Sequence, residues 1–185
     1  ALVRDGEFFD WLEKNVRGLL SLNEATLEEA VQRSAVHHAR HIAQGGDPFE
    51  LGSSRPLDYG HWAAHKLEQL TDFELSHGEA VSVGVSLDTL YAARVGLLEA
   101  VDAERVLKLI EGLELPIWHE ALELKDQKGR RRVFNGLEEF REHLGGELTV
   151  LLLKETGVGV DVHEIDETIW EECANELKAR ALSMV

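Results

Sequence analysis

The sequence has little cysteine and no long apolar run, and each of these shortages excludes some kinds of protein. It holds one cysteine, Cys173, so no disulfide can form within the chain, and a reducing cytoplasm is the expected compartment. Its apolar stretches are too short to cross a bilayer. The residues from Ala1 to Asp5 lack the basic and apolar regions of a signal peptide. We therefore expect a cytoplasmic protein that is not inserted in a membrane.

Basic residues are also scarce. The chain has 19 lysines and arginines against 35 aspartates and glutamates, for a formal net charge of -16. Such a surface repels nucleic acid and anionic lipid, so neither is expected as a partner. It also repels a phosphorylated substrate unless basic side chains gather locally, which makes the few arginines near a candidate site informative.

The remaining composition is that of a globular protein. Hydrophobic residues make up 44% and charged residues 29% of the 185 residues, which is enough chain to bury a core. No internal repeat or low-complexity tract is visible, so we predict one domain over residues 1–185. The chain starts at Ala1 and enters a helical pattern almost at once. We expect it to be cut from a longer protein.

Apolar residues recur mostly at the helical period, which predicts a mainly α fold. The helix over residues 77–95 is rich in small residues, so it should be central and buried. Apolar runs on both sides of Gly157 predict a small β-hairpin near the C-terminus, over residues 148–153 and 158–163. The polar segment 125–132 should be exposed. The predicted helices cover about residues 8–20, 26–42 (with a capping box of Thr26 and Glu29), 59–70, 77–95, 103–113 and 137–144, and a last one is capped by Asp166.

Nine histidines are a high count for this length, and several of them cluster. His37, His38 and His41 form either a polar helix face or a group with one ring directed inward against a substrate. His61 and His65 are four residues apart and therefore share a helix face. Such a pair can bind a divalent metal, or supply one ligand and one acid or base, and it also occurs without either role.

Three further residues stand beside these histidines. Asp58 lies one turn before His61, where it can cap the helix or orient an imidazole. His77 begins the predicted buried helix, and its ring either reaches the helix that carries His61 or only packs at the helix start. Glu79 follows as a candidate ligand, a hydrogen-bond partner for a ring N–H, or a surface charge.

These runs together carry a family resemblance. Gly60-His61-x-x-x-His65 followed by His77-Gly78-Glu79-Ala80-Val81 resembles the dehydroquinate synthase family of sugar phosphate cyclases, as does the early segment 2–9. The resemblance implies that His61 and His77 bind zinc or cobalt and that His65 lies close to the substrate. It implies a helical C-terminal domain whose partner is an N-terminal NAD-binding domain absent from this chain. A third metal ligand, a glutamate, would lie upstream, and a homodimer is expected.

The resemblance also implies the reaction and shows where the site departs from the family. In the family, NAD transiently oxidises a sugar phosphate, phosphate is eliminated, and a carbocycle closes. Asp58 stands where the family has asparagine, and His38 where it has lysine, so we predict both as catalytic residues beside His65. Arg55 and Arg141 are predicted to bind the phosphorylated sugar.

Trp62 replaces a family threonine next to the first histidine and is expected to add bulk beside the metal. These departures favour a cyclase for another seven-carbon sugar phosphate, of the valiolone or similar cyclitol type, over dehydroquinate synthase itself. Two alternatives remain: a metal-dependent polyol dehydrogenase domain, and a non-catalytic acidic helical binding module with a degenerate site. In either enzyme reading, the isolated chain is expected to be inactive.

Overall fold

The computed structural model describes residues 1–45, 58–143, 146 and 148–183. The architecture is mainly α with one two-stranded antiparallel sheet near the C-terminus, which confirms the predicted fold class. The elements of this part of the chain are α1 (Gly6–Leu20), α2 (Glu24–Gly45), α3 (His61–Leu70), α4 (His77–Arg94), α5 (Ala100–Gly112), α6 (Asn135–His143), β1 (Val150–Glu155), β2 (Val158–Val162) and α7 (Glu167–Leu182).

Helix α4 is the centre of the core, as its small residues predicted. It packs against α3, α5, α7 and β1, and its residues from Ser82 to Gly84 and from Ser86 to Ala92 are buried. Its approach to the segment before α3 is closest at Gly84, where a Cβ atom would lie 2.0 Å from the carbonyl oxygen of Gly60. Because no side chain fits in that space, only glycine lets the two segments meet.

The hairpin closes one side of the core. Val150 pairs with Val162 and Leu152 with Val160, and the turn uses Gly157 in the left-handed region at φ 94°. The first four residues of β1 are buried, whereas β2 is only partly covered. The hairpin prediction is confirmed, with β1 starting two residues later than the pattern suggested.

One local prediction was wrong, and another holds only in part. Helix α2 starts at Glu24, and Asn23 Oδ1 accepts a hydrogen bond from the Thr26 backbone N–H at 3.1 Å, so Asn23 takes the capping position that was predicted for Thr26. The segment 125–132 is not uniformly exposed. Arg131 is 5% exposed, and its guanidinium donates to the Leu122 carbonyl and to Asn175 Oδ1, while Glu171 Oε1 lies 4.0 Å from its Nε.

Other details of the sequence reading hold. Asp166 Oδ1 accepts from the Thr168 backbone N–H at 2.8 Å and caps α7 as predicted. Cys173 is buried on α7, and burial raises the pKa of its thiol to about 12, so the thiolate form is disfavoured. Within the described ranges, no helix is both long enough and apolar enough to cross a membrane.

Candidate metal centre

Three histidines converge where α3 meets the start of α4. His61 and His65 lie one turn apart on α3, and His77 is the first residue of α4. The ring centroids of His61 and His77 are 5.3 Å apart, those of His61 and His65 are 5.6 Å apart, and those of His65 and His77 are 6.0 Å apart. The ring of His77 therefore reaches the helix that carries His61, as one of the two sequence interpretations proposed.

The connection between the helices brings His77 to this place. After α3 ends at Leu70, Asp72 and Phe73 both adopt positive φ values of 50° and 62°, which reverses the chain within a few residues. Glu79 then accepts from the Ser76 backbone N–H at 3.0 Å and from the Ser76 hydroxyl at 2.5 Å. Glu79 thus caps the helix that starts with His77, a role that is not among the three proposed for it from the sequence.

Two of the rings have an oxygen acceptor at Nδ1. His61 Nδ1 lies 3.1 Å from the Tyr59 carbonyl oxygen, and His77 Nδ1 lies 3.3 Å from each carboxylate oxygen of Glu68. A carbonyl or carboxylate oxygen only accepts, so Nδ1 carries the proton and donates in both rings. The Nε2 of each neutral ring then carries the lone pair that a metal requires.

Glu68 is a site residue that the sequence reading missed. Among the residues that the structure describes, one group of three potential metal ligands occurs, and it consists of His65, Glu68 and His77, with ligand atoms within 4.8 Å of one another. The signal was present, because Glu68 follows His65 by three residues and therefore shares its helix face. Imidazole and carboxylate donors are those that zinc binds, so the local chemistry fits a divalent cation.

Burial tunes the charge of His61. Its ring is half-buried, and burial lowers its pKa, with the nearby rings of His65 and His77 acting in the same direction. The bond to the Tyr59 carbonyl opposes this shift. The neutral ring is therefore favoured over the imidazolium, and a neutral ring is the form that binds a cation.

The segment that carries His61 is held by α4. Tyr59 and Thr89 share a hydroxyl–hydroxyl hydrogen bond of 2.5 Å. The Gly60 backbone N–H donates to Asp88 Oδ2 at 3.0 Å, and the Trp62 indole N–H donates to Asp88 Oδ1 at 3.0 Å. Asp88 is fully buried, and burial raises its pKa to about 7 against these two hydrogen bonds.

Trp62 corrects an expectation about the site. Its side chain is 1% exposed, packs on Trp170 with ring centroids 4.8 Å apart, and donates to Asp88. It therefore fills the core behind α3 and does not add bulk beside the metal. The side chain points inward because a large ring with one N–H is stabilised by an apolar pocket that contains one acceptor.

His38, a further residue predicted for the site, lies on a different helix from the three clustered histidines. His38 is exposed on α2, where it lines a shallow depression with Ala30, Val31, Ser34 and Ala35. Neither His38 nor His61 belongs to the His65–Glu68–His77 group. Its neighbour His37 is the inward one of the pair and binds Asp5 Oδ2 through Nε2 at 2.7 Å. A catalytic role for His38 stays a prediction.

Asp58 and Arg141 are both described, whereas Arg55 lies outside the described residues. Asp58 is half-buried just before α3, whose N-cap residue is Gly60. Its role in orienting an imidazole stays a prediction. Arg141 is exposed on α6 and pairs with Glu138 at 2.8 Å. Helix α6 packs against α3, so Arg141 lies on a neighbour of the histidine helix.

Known proteins match both the sequence and the fold. The family described as 3-dehydroquinate synthase C-terminal matches residues 1–131. A 3-dehydroquinate synthase of Acinetobacter baumannii (strain SDF) is 32% identical over 173 residues, which cover 93% of this chain and 46% of that protein. One from Xanthomonas oryzae pv. oryzae (strain PXO99A) is 36% identical over 120 residues, covering 62% of this chain and 32% of the relative. Where the match covers most of this chain, it covers only about half the length of the relative.

A solved structure extends the match to the whole described architecture. The 2-epi-5-epi-valiolone synthase of Streptomyces hygroscopicus subsp. jinggangensis 5008, with NAD+ and Zn2+ bound, superposes with a TM-score of 0.85 at 25% identity. The superposition covers 97% of this chain and 48% of that one. Together with the histidine cluster at the α3–α4 junction, these matches show that the chain belongs to the dehydroquinate-synthase-like sugar phosphate cyclase family and corresponds to its C-terminal domain.

Proposed function

We propose that this chain is the metal- and substrate-binding half of an NAD-dependent sugar phosphate cyclase, with zinc or cobalt held by His61 and His77. The supporting observation is the pair of Nδ1 bonds, to the Tyr59 carbonyl and to the Glu68 carboxylate. Each bond selects the tautomer whose Nε2 can bind a cation. The same argument makes Glu68 an orienting partner of His77, although its distance from His65 and His77 also suits a ligand.

The cation and NAD would supply distinct chemistry. A bound divalent cation acts as a Lewis acid on a hydroxyl or carbonyl oxygen, and NAD accepts and returns a hydride. His61 and His77 hold the cation, and burial keeps His61 neutral for that role. His65 is exposed beside the rings of His61 and His77, where it would exchange a proton with a hydroxyl of the sugar.

The substrate class is proposed as a phosphorylated seven-carbon sugar. A chain with net charge -16 needs local cations to bind a phosphate, and Arg55 and Arg141 are the candidates. Arg141 is exposed, so its pairing with Glu138 can yield to a phosphate. The residues that depart from the family pattern, Asp58 and His38 among them, favour a cyclase of the valiolone or similar cyclitol type.

NAD binding is assigned to a partner domain. The sheet described in this chain is a two-stranded hairpin, and the sequence shows no glycine-rich loop after a strand, so no nucleotide-binding unit is recognisable here. The family relatives have about twice the length of this chain, and the solved relative has NAD+ bound. A homodimer and a cytoplasmic location stay predictions.

Activity is tested on the chain joined to a family N-terminal half. With a heptulose phosphate as substrate, we expect phosphate release and a carbocyclic product without net NADH. Accumulated NADH would instead identify a polyol dehydrogenase. If the protein releases no phosphate, and if added phosphate does not protect it against thermal unfolding, it would be the non-catalytic binding module. The matched variants are His65→Ala, expected to lose turnover, and His38→Ala, which tests one of the two other predicted catalytic residues.

A further inference from the structure

We propose that Asp88 is a positioning residue of the metal centre, and that it acts on His61 through a single peptide group. The inference rests on the proposed metal site. Asp88 Oδ2 accepts the N–H of Gly60, and the carbonyl of that same peptide group belongs to Tyr59. The Tyr59 carbonyl oxygen is the acceptor for His61 Nδ1. Asp88, the 59–60 peptide and the His61 ring therefore form one connected series of hydrogen bonds.

The geometry of a peptide group makes this connection effective. The group is planar and, in this part of the chain, trans, so its N–H and C=O point in opposite directions from a rigid plane. An acceptor fixed on the N–H side therefore fixes the direction of the carbonyl on the other side. In its ionised form, which it takes above about pH 7, the Asp88 carboxylate on the N–H also polarises the group, so the carbonyl becomes a stronger acceptor for the imidazole N–H. The Nε2 of His61 is thereby oriented and made more basic.

The second oxygen of Asp88 fixes the carboxylate itself. Oδ1 accepts the Trp62 indole N–H at 3.0 Å, and the Trp62 ring is packed on Trp170. Trp170 in turn lies against Phe134 with ring centroids 5.3 Å apart. Because Asp88 is fully buried, no water is available to replace either donor. The carboxylate therefore has one orientation, with its two oxygens bonded to the residues on either side of His61.

The peptide has further supports that keep it in place. Gly60 adopts φ 79° and lies against α4, where an added Cβ atom would come within 2.5 Å of the Val85 backbone nitrogen. The Tyr59 hydroxyl bonds Thr89, one residue after Asp88. These contacts fix the position of the peptide, whereas Asp88 is the group that sets its hydrogen bonding. A change at Asp88 should therefore alter the His61 ring more than the surrounding fold.

The test is Asp88→Asn in the 185-residue chain, with Ser86→Ala as the matched control. Ser86 is a fully buried polar residue of the same helix whose hydroxyl donates to the Ser82 carbonyl rather than to the 59–62 segment. An asparagine offers one acceptor oxygen, so it cannot accept both N–H groups. We expect zinc affinity, measured by competition with a chromophoric chelator, to fall about ten-fold in Asp88→Asn. It should stay within about two-fold of the parent in Ser86→Ala, because that substitution leaves the series intact.

A second readout does not depend on metal. Long-range proton–nitrogen NMR of the histidine rings should show His61 protonated at Nδ1 in the parent and in Ser86→Ala, and a mixture of tautomers in Asp88→Asn. Parent-like affinity and tautomer in Asp88→Asn would overturn the inference. A parent that binds no zinc, with the tautomer still changed in Asp88→Asn, would show that the 185 residues do not hold zinc by themselves and would leave the positioning role supported.

The parent protein provides a test if Asp88→Asn does not fold. On saturation with zinc, the His61 Nδ1 proton and the Gly60 amide proton should both move downfield, because the two bonds share one polarised peptide. A shift at His61 without one at Gly60 would show that the series is not connected, and would overturn the inference.

Discussion

The chain has two groups of histidines, and their surroundings separate them. His61 and His77 come from different helices, and a carbonyl or a carboxylate fixes the proton on each ring. His37, His38 and His41 lie along one helix, α2, of which α1 covers one side. There His37 joins the two helices through Asp5 and stacks on Phe8, with ring centroids 5.9 Å apart. Histidine density alone therefore does not identify a site. The partners of the ring nitrogens do.

The two histidine groups also differ in the residues that support the helices carrying them. The α3–α4 junction rests on a buried carboxylate and on a close contact between Gly60 and Gly84. Helix α2 exposes Val31 and His38 on the side away from α1. Substitutions at the junction should therefore affect both stability and metal binding, whereas those on α2 should leave metal binding unchanged.

The largest effect is expected from Gly84→Ala. The new Cβ would lie 2.0 Å from the Gly60 carbonyl oxygen, so α4 and the segment before α3 must separate. We expect a loss of about 4 kcal/mol in the free energy of unfolding, measured by urea titration. Gly78→Ala on the same helix has no atom within 4 Å of the new Cβ and should be neutral or stabilising. Equal effects of the two substitutions would show that the contact is not close.

The second effect is a pH dependence that originates at Asp88. The pKa of this carboxyl is raised from 3.8 to about 7 in the folded chain, mainly by burial. Between these pH values the folded chain keeps a proton on Asp88 that the unfolded chain has released. The contribution of Asp88 to the free energy of unfolding is therefore fully present below pH 4 and is lost as the pH rises through 7. The loss should be about 4 kcal/mol.

Asp88→Asn removes this titration, and the difference between the two stability profiles isolates it. The profile of the parent also contains His61, whose lowered pKa acts with the opposite sign, because its contribution is lost as the pH falls. Urea unfolding from pH 4 to pH 8 should therefore give a difference curve that declines with pH. A flat difference curve would contradict the account of Asp88.

The third effect concerns Glu68 and zinc affinity. If Glu68 orients His77, Glu68→Ala should weaken zinc binding about ten-fold, and Glu68→Gln should retain most of the affinity because its carbonyl oxygen still accepts from Nδ1. Glu74→Ala, at an exposed glutamate before α4, is the control and should bind as the parent does. A loss in Glu68→Gln as large as that in Glu68→Ala would identify the carboxylate as a ligand instead.

The smallest effect is expected on α2. His37→Ala removes the bond to Asp5 and the stacking on Phe8, so it should cost about 1 kcal/mol of stability. His38→Ala, at an exposed position, should change stability by less than about 0.5 kcal/mol. Neither should alter zinc affinity. A weakened zinc affinity in either variant would remove the distinction between the two histidine groups.

Sequence reasoning found the parts of this fold that depend on local pattern. The helical period, the turn at Gly157 and the Asp166 cap can all be predicted from the sequence, because each depends on residues close in the chain. The Ser76-x-x-Glu79 pattern equally predicts a helix start, yet the sequence alone leaves three functional roles open for Glu79. The family motif, rather than the four-residue spacing of His61 and His65, supplied the proposed ligand pair.

What sequence reasoning missed depends on contacts between distant segments. Asp88 was not recognised, although an acidic residue within the small and apolar sequence of α4 is a signal that it has a partner. That partner is 26 residues away at Trp62, and the burial of Trp62 depends on Trp170 from the far end of the chain. Without these contacts, a large ring after His61 was reasonably but wrongly assigned to the site.

The most direct test of the central claim is zinc affinity in four proteins: the parent chain, His61→Ala, His77→Ala and His38→Ala. We predict that the parent and His38→Ala bind one zinc ion with equal affinity, and that each of the other two loses affinity by at least about 100-fold, because a ligand is removed. Equal affinity in all four proteins would contradict the assignment of the metal centre to the α3–α4 junction.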